Sequence, residues 1–132
     1  MADKMQEMFT KHGAVSWTEL TTSDAAAAQK FYGTLFGWTF KKFPAPEMDY
    51  NVISVGDRQI GGIMQAPTGK AMPTAWWSYV TVENVDETAK NAKELGAKIM
   101  VPPQDIPEVG RFCIIQDPQG ASIAAITYSM KK

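Results

Sequence analysis

The stretch "WTELTTSD", Trp17 to Asp24, is answered further along the chain by "WSYVTVENVD", Trp77 to Asp86. Each begins with Trp and a small hydroxyl residue, Thr18 or Ser78. Each then carries an aliphatic residue (Leu20 or Val80), a threonine (Thr21 or Thr81) and an acidic residue ahead of a helical pattern. Those patterns, "AAAAQKFYGTLFGW" (Ala25 to Trp38) and "ETAKNAKELGAK" (Glu87 to Lys98), both run into a Leu and a Gly suited to a left-handed C-cap. Later in each half comes a strand reading "IGGI" (Ile60 to Ile63) or "IAAI" (Ile123 to Ile126). Three matches in the same order indicate an internal duplication.

Periodicity and turn chemistry give each half the order β-α-β-β-β, and so an α+β class. The first half predicts a strand over 15–21, a helix over 24–36 and strands over 39–43, 49–55 and 59–65. The second predicts a strand over 77–82, a helix over 86–95 and strands over 98–101, 110–116 and 121–127. Pro102 and Pro103 are expected to close the short strand before them, and "DPQG" (Asp117 to Gly120) to make a tight turn. The domain reading is an N-terminal extension over 1–13, module one over 14–66, a Gly- and Pro-rich linker over 67–75 and module two over 76–128.

Two βαβββ modules, with "FYGTLFGW" after the first strand and "DPQG" before the last, resemble the vicinal oxygen chelate superfamily of glyoxalases, bleomycin-resistance proteins and ring-cleaving dioxygenases. The likeness covers about Gly13 to Tyr128 and is closest to glyoxalase-related single-domain proteins. It implies two sheets curled around a shared cavity, within one chain or across a dimer. In metal-dependent members, His or Gln on the first strand and Glu on the last strand of each module hold a divalent ion. The corresponding positions here are Trp17, Gly61, Trp77 and Ala124. None of these side chains ligates metal, so the expectation is no metal and no cofactor.

Alternation along the strands puts Trp17, Glu19 and Thr21 on one face and Trp77, Tyr79 and Thr81 on the matching face of the other half. The expectation adds Gly61, Ile63, Ala124 and Ile126 from the last strands. Large aromatics opposite Gly and Ala leave either a filled core or a flat apolar slot. Glu19 argues for the slot, because an inward carboxylate needs a partner, water or a ligand. The candidate ligand-binding set is Trp17, Glu19, Gly61, Ile63, Trp77, Tyr79, Ala124 and Arg111, which flanks a Pro-rich loop and can meet an anion or make a surface ion pair. The candidate catalytic pair is Glu19 as base and Tyr79 as acid. Met48, Met64, Met72 and Met100 can supply an adaptable wall, and His12 reads as a residue of the N-terminal lead-in.

Composition excludes other classes. The 132 residues carry a formal net charge of −1, with no basic run to engage nucleic acid. No apolar run approaches the ~20 residues that span a bilayer, which reads as a cytoplasmic protein without membrane association. Cys113 is the sole cysteine and sits in "RFCII", a buried strand thiol rather than a nucleophile. The functional expectation is a glyoxalase-like protein that lacks the family's metal ligands and binds a small, partly apolar or aromatic molecule. The alternative is a lyase or other enzyme of the superfamily, metal-independent through Glu19 or metal-dependent through ligands not recognised. Exposed sheet edges and the resemblance together imply a homodimer.

Overall fold

The computed structural model of the chain describes residues 7–44, 49–67 and 73–129. Within them the elements are β1 (Val15–Thr22), α1 (Ala25–Phe36), β2 (Thr39–Lys42), β3 (Tyr50–Val55), β4 (Arg58–Gln65), β5 (Ala75–Thr81), α2 (Val85–Glu94), β6 (Lys98–Ile106), β7 (Gly110–Gln116) and β8 (Ser122–Tyr128). This is an α+β fold of two βαβββ modules, and the strand order within each is the same. The first reads β1-β4-β3-β2 and the second β5-β8-β7-β6. In both, the first strand pairs parallel with the last, and the remaining pairs are antiparallel. The parallel pair follows from the helix: a crossover returns the chain in the direction in which it left.

One compact unit runs Trp17–Trp77, and the other joins the residues from Ser78 onward to those up to Ser16. Part of the expected N-terminal extension is therefore packed on module two. The Gly13 amide donates to the Thr81 carbonyl at 2.7 Å, and the Thr81 hydroxyl reaches the Met8 carbonyl at 2.6 Å. Phe9 meets Tyr128 edge to face with ring centroids 4.9 Å apart. Residues 1–6 of that extension, linker residues 68–72, and with them Met48 and Met72, lie outside the described residues.

Local chemistry fixes the helices. Asp24 caps α1, its Oδ1 accepting from the Ala27 amide at 3.0 Å, and Gly37 closes the helix with φ of 76°. At the far end of β4, Gln65 accepts from the Ala25 amide at 2.8 Å and donates to the Ser23 carbonyl at 2.7 Å, so the last strand holds the helix entry. The cap of α2 is Asn84, whose Oδ1 accepts from the Glu87 amide at 3.0 Å, so the helix begins at Val85, one residue before the expected start, with Asp86 in its first turn. Each helix covers a core of its own module. Ala25 of α1 packs with Leu20, Ile53 and Ile63, and Val85 and Ala89 of α2 pack with Val82, Cys113 and Ala125.

The strand before the prolines is longer than expected. β6 continues through Pro102 and Pro103 to Ile106, with register shifts between Ile99 and Val101 and between Val101 and Gln104. It is an edge strand of its module, where a missing N–H costs no ladder bond. Among the described residues, no helix is long and apolar enough to cross a membrane.

Candidate functional site

Register decides which side chains meet. β1 and β4 pair with Thr18 beside Gly61, Glu19 beside Gly62 and Leu20 beside Ile63. Paired residues point to the same side of a sheet. Since Leu20 and Ile63 are in the core under α1, Thr18 and Gly61 point to the helix side as well. The opposite face, open in that α1 does not cover it, carries Trp17, Glu19 and Thr21 together with Gly62 and Met64 from β4 and Tyr50 and Val52 from β3, of which Thr21 and Val52 are buried. The expected company of Glu19 is thus corrected by one position: Gly62 and Met64 stand beside it, while Gly61 and Ile63 belong to the other face. A register shift between Ile53 and Ser54 accompanies the difference. β4 advances from Gly61 to Gln59 while β3 takes a single step, and Ile60 is the extra residue.

Tyr50, which the sequence reading did not single out, organises this face. The Trp17 indole Nε1 donates to the Tyr50 hydroxyl at 2.8 Å, and that hydroxyl donates to Glu19 Oε1 at 2.8 Å. The ring occupies the space left by the missing side chain of Gly62, since a Cβ there would collide with Cε1, Cζ and Oη of Tyr50. An aromatic ring laid over a strand glycine recovers apolar contact that the glycine cannot make. Phe43 stands edge-on to Tyr50, with centroids 6.2 Å apart. Trp17, Glu19 and Tyr50 are all half-buried. The result is an apolar surface bearing one carboxylate in a charge-assisted hydrogen bond. The glycine pair "GG" was the available signal, because a strand glycine often marks a close approach by another group.

In module two the expected face is the one observed. Tyr79 pairs with Ala124 and Thr81 with Ile126, and β7 brings Ile114 beside Ala124 and Phe112 beside Ile126. Tyr79 and Ala124 are buried, and the Tyr79 ring lies 6.4 Å from that of Phe112. Trp77, two residues before Tyr79 on β5, is half-buried, and its carbonyl accepts from the Thr18 hydroxyl at 3.4 Å.

Arg111 lies elsewhere. It pairs with Thr127 on the helix side of its half-sheet, where Nε and Nη2 donate to the two oxygens of Asp86 at 3.0 Å each and Nη1 donates to Asp105 at 3.1 Å. The hydrogen bonds and charge of Arg111 hold the Asp86 carboxyl below its ordinary range, and the same pairs raise the guanidinium further. A surface cleft of about 430 Å³ runs along this hairpin, lined in part by Asp105, Glu108, Arg111 and Tyr128. His12 serves the N-terminal segment, its Nδ1 accepting from the Glu83 amide at 3.0 Å. Met64 is half-buried on the open face of module one, and Met100 is exposed.

On the open faces Glu19 is the one carboxylate at a first-strand position, its neighbour on the last strand is Gly62, and the second module offers Tyr79 beside Ala124. Among the described residues, no three His, Cys, Asp or Glu side chains are grouped to hold a metal ion.

Residues 14–124 match the family model described as Glyoxalase/Bleomycin resistance protein/Dioxygenase superfamily. The chain belongs to that superfamily. It is 36% identical over 115 residues to the Mycobacterium tuberculosis (strain CDC 1551 / Oshkosh) protein named "Putative glyoxylase CFP32", a match covering 86% of this chain and 44% of the relative. It is 29% identical over 126 residues to the anthracycline biosynthesis protein DnrV of Streptomyces peucetius, covering 85% of this chain and 46% of that protein. The chain therefore spans a little under half the length of these curated relatives. Among solved structures, a methylmalonyl-CoA epimerase variant of Streptomyces coelicolor shares the fold with a TM-score of 0.69 at 12% identity, over 92% of this chain and 99% of that one.

Proposed function

We propose that this protein binds a small, flat, partly apolar molecule on the open face of module one, without a divalent metal at the superfamily's ligand positions. The observation that carries the reading is the chain of hydrogen bonds from Trp17 through Tyr50 to Glu19, laid over Gly62. Trp17, Tyr50 and Phe43 offer ring faces and edges to a planar body. A carboxylate accepts hydrogen bonds, so a ligand that meets Glu19 on this face brings an N–H, an O–H or a cationic amine. Trp77, Tyr79 and Ala124 are the matching positions of module two; Trp77 is half-buried, while Tyr79 and Ala124 are buried. The name of the Streptomyces peucetius relative, an anthracycline biosynthesis protein, points in the same direction, toward a polycyclic compound.

A second reading draws on the same hydrogen bond. A carboxylate and a phenol 2.8 Å apart can act as base and acid, which would make the protein a metal-independent enzyme with Glu19 in the catalytic position and Tyr50 as donor. Titration of planar aromatic amines against tryptophan emission tests the binding reading. Quenching that is present in the native protein and lost in Trp17→Phe supports it, and quenching unchanged in that variant sinks it. Glu19→Gln separates the two readings. A variant that keeps affinity and loses turnover makes Glu19 a base, whereas one that weakens binding makes it a ligand contact.

A further inference from the structure

The outer side of α1 carries large apolar side chains that its own module leaves uncovered. Phe31 is 59% exposed, Leu35 57% and Phe36 57%, and Trp76 beside them is 38% exposed. These residues are held in place from below. Tyr32 stacks on Trp38 at 5.7 Å, meets Trp76 edge-on at 5.4 Å and accepts a hydrogen bond from its indole nitrogen at 3.3 Å, and Phe31 meets Tyr32 at 4.9 Å. Such packing keeps the exposed rings in a fixed arrangement, so little side-chain entropy is lost when the surface is covered.

We propose that this face of α1 is the surface on which a second copy of the chain docks, through a two-fold axis near residue 33 that sets Phe31 of each copy against Leu35 of the other. Two arguments favour a second copy. The first is area: large side chains offer roughly 150–250 Å² each, so these four leave roughly 400 Å² exposed. That is about half of the ~800 Å² each partner contributes to a stable interface, the share expected of an apolar centre within a polar rim. The second is charge. Lys30 is the one charged residue within α1, so two copies can approach with little repulsion, and the helix carries no charge pattern with which to recognise a different protein. Small Ala27, on the same exposed stripe, permits close approach of two helices. The inference is independent of the ligand site, because Trp17, Glu19 and Tyr50 point to the opposite side of the half-sheet from α1.

Sedimentation equilibrium on the full chain tests it, with Phe31→Glu and Leu35→Glu as variants and Leu95→Glu, at an exposed position beside α2, as control. The native protein and the control are expected to be dimers at tens of micromolar, and each α1 variant is expected to raise the dissociation constant at least about 30-fold, as loss of a central apolar contact does. Far-ultraviolet circular dichroism confirms that the variants are folded. A monomeric native protein, or a dimer that survives both α1 variants, overturns the proposal. Flotation with phosphatidylcholine vesicles adds a further arm, since a monomer that binds vesicles through Leu35 would assign the face to a lipid surface instead.

Discussion

A methyl group added at Gly62 would run into the far end of the Tyr50 side chain, whereas one added at Gly61 would run into the carbonyl oxygen of Thr18. A ring can swing aside and a backbone cannot. Gly61→Ala is therefore expected to lose stability at the upper end of the ~1–3 kcal/mol typical of overpacking, and Gly62→Ala at the lower end. Gly62→Ala should also part the Tyr50 hydroxyl from Trp17 and Glu19. Thermal melts rank the two variants, and the reverse ranking would contradict the register described for β1 and β4. At Cys113, which is fully buried, loss of solvation pushes the thiol above its ordinary range. Native protein should resist a thiol reagent at neutral pH and react fully once denatured, and rapid native labelling would contradict that environment. Its burial was legible from "RFCII". Tyr50 was not, because nothing within its own strand says that a glycine on the neighbouring strand will receive its ring.

Among the elements, the duplicated motifs announced both helices and the repeated strand order, since capping and alternation are local signals. The face shared by β1 and β4 was not legible. Matching "IGGI" to "IAAI" aligns residues along a strand, but pairing between strands is set by turns and bulges, and a slip of one residue exchanges the faces. The same slip did not occur in β8, where Ala124 stands beside Tyr79 as expected. The packing of residues 7–13 on module two was equally hidden, because it depends on the Thr81, Ser16 and Tyr128 hydroxyls being brought together by three different strands. Tyr128 has its phenol raised above the ordinary value, mainly by burial, with the Ser16 hydrogen bond opposing. A pKa that is higher in the folded than in the unfolded chain means that the fold favours the protonated phenol. The associated stability is complete below the ordinary tyrosine value near pH ~10 and is lost as pH rises through the folded value. Urea unfolding above that pH should weaken the native protein more than Tyr128→Phe, and parallel losses would contradict the assignment.

For the whole molecule, the duplication with its turn motifs carried the superfamily. The proposed ligand chemistry depends on the carboxylate of Glu19 and on what surrounds it. Protein purified without chelator is expected to hold no stoichiometric divalent ion, and elemental analysis finding one nickel, zinc, iron or manganese per chain would restore the superfamily's metal chemistry. The most direct test of the account is calorimetric titration of one planar aromatic amine into native protein and into Tyr50→Phe. The variant keeps the ring over Gly62 and removes only the hydroxyl between Trp17 and Glu19. A hydrogen bond to a charged group contributes about 1.5–3 kcal/mol, so affinity should fall by roughly tenfold or more as Trp17 and Glu19 lose their fixed geometry. Equal affinity in the two proteins, or no heat with either across a panel of such amines, would contradict a binding site on this face.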